Sequence, residues 1–568
     1  MERRRGESAA DSGLVGHAIL PGRNPVGYNS RVLANARYEE RVGGRSHITL
    51  WLALLALVLA ASALPAGAQL SQGELDPLAR IRAAARAHPE ACSASGETLC
   101  EEVAPKIIAN AMGESPLGEN LRHLTKQIGG RLTGTTAVAR AVAWGVAAFR
   151  AAGLEVHTEK YTIPATWTEG ASRLEILSSS PFPVRLVSVG WAAATPPGGL
   201  AGAVLFVGEG SEADFARLGP AAKGALLLVH SKVVQDWDDL FEEYMSAPSV
   251  IGRANAAGAA AILWMSAREG TLLYRHSDTL TGKVDPLPQA ILAREDALRL
   301  EAMLTSGQKV RARLDLPNHT GGPAEQENVV AEIRGREKPE EWVLLGAHLD
   351  SWELGEGALD NGCNAALVIE AARDIARLGV RPRRSIRFVL FTGEEQGMLG
   401  SWAYVRAHRA ELDRARAVII FDEGMGRVTG YSLGGRRDIE AGVREALKPL
   451  ASRGVTSLTL GASLGADNFD FIVEGVPTLI ADQQEANYIR NYHASSDTFD
   501  KVDIPELKLH TAIAAVTAFD IAESETPIGP RQTRPQIETL LKNTGLDDQM
   551  KIAGVWRLWE SGERGRRP

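Results

Sequence analysis

Two histidines and three acids, His348, Asp360, Glu395, Asp422 and His493, offer imidazole nitrogen and carboxylate oxygen, donors suited to zinc or a related divalent ion. Five such groups are too many for one tetrahedral ion that keeps a position open. They suit two ions roughly 3.5–4 Å apart if one carboxylate bridges them. Water held between two such ions loses its proton near neutral pH and becomes a nucleophile. A carboxylate off the metal must then accept that proton and pass it to a leaving group. Glu394, beside Glu395, fits this general-base role, and Asp350, two residues after His348, can orient the His348 ring. Taken singly, these residues say little, because adjacent acids usually mark a solvated loop and a lone histidine is more often structural. Their chemistry depends on being carried to one place.

Each lies where a strand is expected to end. Residues 343–345 form a β-branched and leucine run that stops at Gly346 and delivers His348 and Asp350, and a Gly-rich loop then brings up Asp360 before a helical pattern begins. Residues 386–391 lead into Thr392-Gly393-Glu394-Glu395-Gln396-Gly397, residues 418–421 into Asp422-Glu423-Gly424, and His493 lies in the loop after residues 478–480. Further strands are expected at 329–333 and 457–460, with helices at 365–378, 401–408, 439–450, 469–474 and 505–523. This alternation argues for an α/β fold, a mainly parallel mixed sheet with helices on both faces. Parallel strands put their C-terminal ends on one rim, where such folds keep their chemistry.

The chain before the rim reads in two textures. Residues 69–165 are mostly helical, with Ala-rich repeats at 81–87 and 137–152, and end in a strand at 154–163; they form the front of the catalytic domain, which resumes over 327–524. Residues 166–326 show short β runs at 174–177, 184–187, 203–206 and 225–229, turn-rich pieces such as Thr195-Pro196-Pro197-Gly198-Gly199, a Gly-Ala helix at 254–260 and a strand at 262–265. With few acids, histidines or cysteines spaced like a site, this stretch is expected to be an inserted, non-catalytic, β-rich domain. Residues 525–568 are an extension rich in Pro, Arg and Gln.

At 568 residues, 45% hydrophobic and 23% charged, the chain can bury the core of two or three domains. Its net charge is −8, and residues 1–68 are themselves basic, so the chain from Gln69 onward is more acidic still and offers nothing to suggest nucleic acid or an anionic membrane surface. Residues 1–46 are Arg-rich, 48–64 form an almost unbroken Leu/Ala run, and Ala66-Gly67-Ala68 supplies small residues for cleavage. This is the pattern of a signal peptide over about residues 46–68 with a long leader, implying a secreted or periplasmic protein; the alternative is an uncleaved membrane anchor. Of three cysteines, Cys92 and Cys100 allow one local disulfide, and Cys363 reads as a buried packing residue.

The runs H-L-D-S-W (348–352), G-A-L-D-N-G (357–362), T-G-E-E-Q-G (392–397), F-D-E-G (421–424) and Y-H-A-S-S-D-T (492–498) resemble, in order and spacing, the M28 metallopeptidases, and within them the carboxypeptidase Q group. That resemblance implies a zinc-exopeptidase fold with two Zn2+ per chain, one held by His348 and Asp422 and the other by Glu395 and His493. Asp360 would bridge them and Glu394 would be the general base. It also implies that the insertion is a protease-associated domain capping the site, that dipeptides or short peptides are hydrolysed, and that the chain forms a homodimer. Two departures bear on substrate choice: Asn361-Gly362-Cys363-Asn364 stands where relatives often carry a second acid, and the His493 motif is less histidine-rich. An aminopeptidase of the same fold, and more remotely a non-catalytic receptor-like relative, are the alternatives. The serine-hydrolase pattern G-x-S-x-G occurs at 430–434 and 461–465, but a serine triad would leave His348, Asp360 and the Glu394–Glu395 pair idle.

Overall fold

The computed structural model describes residues 98–277 and 279–568, so the leader, the signal-like run, the repeat at 81–87 and Cys92 of the suggested disulfide lie outside the described residues. The larger of its sheets has eight strands: β1 (Glu155–Ile163), β2 (Ala324–Ile333), β3 (Lys338–His348), β4 (Arg384–Phe391), β5 (Ala415–Ile420), β6 (Val428–Ser432), β7 (Ser457–Thr459) and β8 (Thr478–Gln483). Their order is β1-β2-β4-β3-β5-β8-β6-β7. The four central strands, β4, β3, β5 and β8, run parallel, while β1, β2 and β6 pair antiparallel at the flanks. The sheet is therefore mixed with a parallel centre, as the alternation of elements predicts.

The helices that matter for the site are α1 (Thr136–Ala151), α2 (Trp237–Ala257), α3 (Cys363–Ala376) and α4 (Ile504–Glu523). In β3 every residue from Trp342 to His348 is buried, the continuous apolar run of a strand covered on both faces. Val343, Leu345 and Ala347 pack into the core formed with α1, α3 and α4, and Trp342 and Leu344 point to the opposite layer with Tyr404 and Phe471. Each large aliphatic side chain removed from water here contributes about 1.5–3 kcal/mol. Helix α4 is buried nearly all round, so it serves as a core helix and not an amphipathic cover. Cys363 opens α3 as a free, fully buried thiol 3.4 Å from the Leu359 carbonyl, a packing residue.

Residues 173–315 build a second sheet of seven strands. Four of them, Leu200–Phe206, Leu226–Val229, Ala261–Met265 and Gln289–Leu292, run parallel, so this segment has α/β character of its own where the sequence suggests a β-rich one. The Gly-Ala helix expected at 254–260 is the end of the 21-residue α2. Its front half escapes a periodicity argument because Trp237, Asp238, Asp239, Phe241, Glu242 and Glu243 are exposed or half-buried, and Pro248 interrupts the pattern as a breaker would. Asp236 caps the helix, accepting from the Asp239 N–H at 3.0 Å.

Strand β6 is not among the expected elements; its residues carry one of the G-x-S-x-G matches. Ser432 is buried there and donates to the Gly461 carbonyl at 2.6 Å, whereas Ser463 of the other match is exposed in a loop. Neither serine sits on a sharp strand-to-helix elbow.

The C-terminal extension, without a clear pattern in sequence, proves to be structural. Its helices Arg534–Thr544, Leu546–Ile552 and Trp556–Glu560 share a core with Met398 and Phe469. Arg564, buried, meets the buried Asp470 through two hydrogen bonds of 2.8 and 2.9 Å and donates to the Gly397 carbonyl at 3.0 Å. The extension thereby braces the loop that carries Glu394 and Glu395. Removing one partner of a buried ion pair strands the other charge, so Arg564→Ala should lose about 3–5 kcal/mol of stability in denaturant unfolding.

Candidate metal centre

His348 is the last residue of β3, Glu394 and Glu395 follow β4, Asp422 follows β5, and His493 lies beyond β8. Because these four strands are parallel neighbours, with His348 level with Phe391 and Gly346 level with Ile420, their loops open on the same rim. His348 Nε2 lies 3.1 Å from Asp360 Oδ1 and 3.1 Å from Asp422 Oδ1. His493 Nε2 lies 3.2 Å from Asp360 Oδ2 and 2.9 Å from Glu395 Oε2. The five residues thus form two triads, His348-Asp360-Asp422 and Asp360-Glu395-His493, with the donor atoms of each within 4.8 Å of one another. Asp360 belongs to both and turns one oxygen toward each.

Several features of these triads suit divalent ions. Ligand atoms about 2.0–2.1 Å from one tetrahedral ion stand about 3.3 Å apart, close to the spacings seen here. Glu395 Oε1 is buried without a hydrogen-bond partner among the described residues, and Asp360 Oδ2 meets only the His493 ring, at 3.2 Å, which leaves negative charge asking for a cation. Burial also opposes ionisation of Asp360, but hydrogen bonds from His348 and His493 outweigh it and hold the carboxyl below its ordinary range. Against the same burial, the Asp422 charge draws His348 well above the usual imidazole value and Glu395 draws His493 up to about 9.

Other groups fix the ligands. The Asp497 carboxylate accepts from the Leu359 and Asp360 N–H groups at 2.7 and 3.2 Å, pinning the loop that presents Asp360. Arg131, fully buried, donates to the carbonyls of Glu356 and Gly357 at 3.0 and 2.8 Å on the same loop. Asn361 donates to Asp422 Oδ1 at 2.9 Å and to the Phe421 carbonyl at 3.0 Å. Asp350 works differently from expectation: His348 Nδ1 faces its backbone carbonyl at 3.1 Å, and its carboxylate is farther, at 3.6 Å. That carboxylate instead accepts from Thr133 Oγ1 at 2.8 Å and from the Glu394 N–H at 3.3 Å, which places Asp350 under the Glu394 backbone.

Glu394 belongs to neither triad. It is half-buried and lines a cavity of about 320 Å³ together with Glu395, His493, Tyr244, His276 and Tyr492. Burial pushes its carboxyl well above the usual range; His348 opposes, and the Asp422, Glu395 and Asp467 carboxylates add to the rise. A carboxylate that holds a proton readily, facing open space beside the triads, has the attributes of a general base.

Tyr244 and His276 come from the segment expected to take no part in the site. His276 Nδ1 stands 2.9 Å from His493 Nδ1 and 2.9 Å from Tyr244 Oη. A lone histidine in Tyr274-Arg275-His276-Ser277, 217 residues from its partner, carries no local pattern that would single it out.

Comparison with known proteins places the chain in one family and one fold. The profile of peptidase family M28 matches residues 328–518. Mouse (Mus musculus) carboxypeptidase Q is 30% identical over 412 residues, covering 72% of this chain and 86% of that protein. A Bacillus subtilis aminopeptidase is 25% identical over 419 residues, covering 71% of this chain and 84% of that one. Among solved structures, a peptidase M28 precursor from Shewanella amazonensis superposes with a TM-score of 0.70 at 28% identity, covering 77% of this chain and 99% of that one. A zinc aminopeptidase from Bacillus subtilis, 23% identical, shares the fold with a TM-score of 0.56 over 72% of this chain and 95% of that one.

Proposed function

The chain belongs to peptidase family M28 and is a metallopeptidase, and from that premise we propose that it is an exopeptidase working with two zinc ions on dipeptides or short peptides. The observation that carries the reading is the pair of triads sharing Asp360, with Glu394 beside them and outside both. In this reading His348 and Asp422 would hold one ion, His493 and Glu395 the other, and Asp360 would belong to both sets. Zinc at such a site supplies Lewis acidity and lowers the pKa of water.

The chain's own groups do the rest. Glu394 accepts the proton of the attacking water and returns it to the leaving amine, a role its elevated proton affinity suits. Asp350 and Thr133 hold its backbone in place: Thr133 Oγ1 accepts from the Gly393 N–H at 3.0 Å while donating to Asp350. Tyr244, Tyr492, His276 and His493 line the cavity, whose volume of about 320 Å³ suits a short peptide. Glu209, Asp239, Glu242 and Glu243 line the same cavity, but Lys232 lines it too and pairs with Asp239 and Glu242, and Glu243 faces Arg268 and His276, so the wall offers both signs of charge. This lining serves an unblocked dipeptide and also an aminopeptidase substrate, the second reading.

No helix among the described residues is long and apolar enough to cross a membrane; export, through the signal-like residues 46–68, and dimerisation remain part of the proposal. The discriminating assay is hydrolysis of one dipeptide in unblocked, N-acetylated and C-amidated forms by zinc-loaded protein. A requirement for the free carboxylate places the chain with the carboxypeptidase-Q-like dipeptidases. Tolerance of the amide with a requirement for the amine makes it an aminopeptidase. If none of the three is cut by protein carrying two zinc ions, the exopeptidase reading fails.

A further inference from the structure

The inserted segment does more than roof the cavity. Residues 273–276 run alongside the loop that presents His493: the Arg275 N–H donates to the His493 carbonyl at 3.1 Å, the Ser495 N–H donates to the Leu273 carbonyl at 3.0 Å, and Tyr274 forms a bridge with Ala494. His493 has φ +57°, a left-handed conformation that a non-glycine residue holds only when its surroundings impose it. Those surroundings are this short backbone ladder.

The side chains continue the contact. His493 Nε2 faces Asp360 and Glu395, so a metal at that triad takes Nε2 and leaves the ring proton on Nδ1. Nδ1 is 2.9 Å from His276 Nδ1 and 3.4 Å from Tyr244 Oη. His276 Nδ1 is then an acceptor, reached by the His493 Nδ1–H directly at 2.9 Å or through the Tyr244 hydroxyl, which is also 2.9 Å from it, and its own proton sits on Nε2, which faces Glu243 Oε2 at 3.4 Å. Glu243 accepts a short hydrogen bond from the Tyr274 hydroxyl and lies 3.7 Å from the buried Arg268 guanidinium. The protonation pattern is self-consistent from the metal triad to the inserted segment.

Building on the two-ion reading, we propose that His276 is a positioning residue for the metal ligand His493. The inserted segment thereby supplies the outer support of one metal site: the residue 273–276 ladder sets the backbone of His493, and His276, backed by Glu243, fixes its tautomer and ring. Only the ion at the Asp360-Glu395-His493 triad depends on this support. The ion at the His348 triad has its own outer partner, the Asp350 carbonyl.

The test compares zinc affinity in the full chain, by chelator competition, for the wild type, His276→Leu and His276→Gln. Leucine fills the volume without an acceptor, and glutamine keeps an acceptor oxygen. The Leu variant should hold one of its two ions about 10–100-fold more weakly, the usual cost of losing an outer partner, with the other unchanged. The Gln variant should stay nearer the wild type. Wild-type affinity for both ions in His276→Leu overturns the proposal, and so does an equal loss in both variants, which would mean packing alone matters. A wild type that binds fewer than two ions overturns the two-ion reading itself, so the two failures are told apart.

Discussion

Glu394→Gln should fold, keep both metal ions and lose turnover by a factor on the order of 10²–10⁴. Glutamine matches glutamate in size and keeps the Glu394 N–H that donates to Asp350, so the loop after β4 has no reason to move. Glu394 is in neither triad, so every ligand survives the change. What disappears is a proton acceptor facing the cavity. A loss that falls on kcat and kcat/KM alike, with zinc content unchanged, is the signature of a group that acts only in the transition state. Turnover at the wild-type level in Glu394→Gln would assign the proton transfer elsewhere.

Asp360→Ala should fail in a different way. Asp360 turns Oδ1 to His348 and Oδ2 to His493, so its removal leaves each triad with two donors and nothing joining them. Zinc affinity at both positions should fall by more than about 100-fold, beyond the 10–100-fold effect of losing an outer partner, and activity should vanish with the metal. Metal analysis after dialysis reads this directly. Retention of both ions would show that Asp360 is not shared, whatever happened to the rate.

The two variants separate metal from proton. One keeps the ions and loses the chemistry; the other loses the ions first. The His276 variants separate the two ions from each other, since only one leans on the inserted segment.

Much of the catalytic half is legible in the sequence because its chemistry coincides with strand ends. Runs such as 386–391 and 418–421 are apolar enough to be read as buried parallel strands, and each breaks into glycine and acid where the rim begins. Parallel order then does what local spacing cannot, bringing together residues as far apart as His348 and His493. The features that escape such a reading are tertiary. His276 meets His493 across 217 residues, and Arg564 meets Asp470 across 94, with no periodicity to announce either contact. Helix α2 hides behind Pro248, and β6 looks like a nucleophile motif because Gly430, Ser432 and Gly434 have the right spacing by chance. Asp350 shows a finer limit. Its spacing from His348 predicts an acid that orients the ring, but at two residues' distance the backbone carbonyl reaches Nδ1 first and the carboxylate is left for Thr133 and the Glu394 N–H.

The most direct measurement is a titration of metal-free protein with zinc while cleavage of an unblocked dipeptide is followed. The triads predict that activity is absent at the start, rises with added zinc, and reaches its plateau at two equivalents per chain. Full activity in the presence of a chelator, or a plateau at one equivalent, would contradict a site in which Asp360 is shared between two ions.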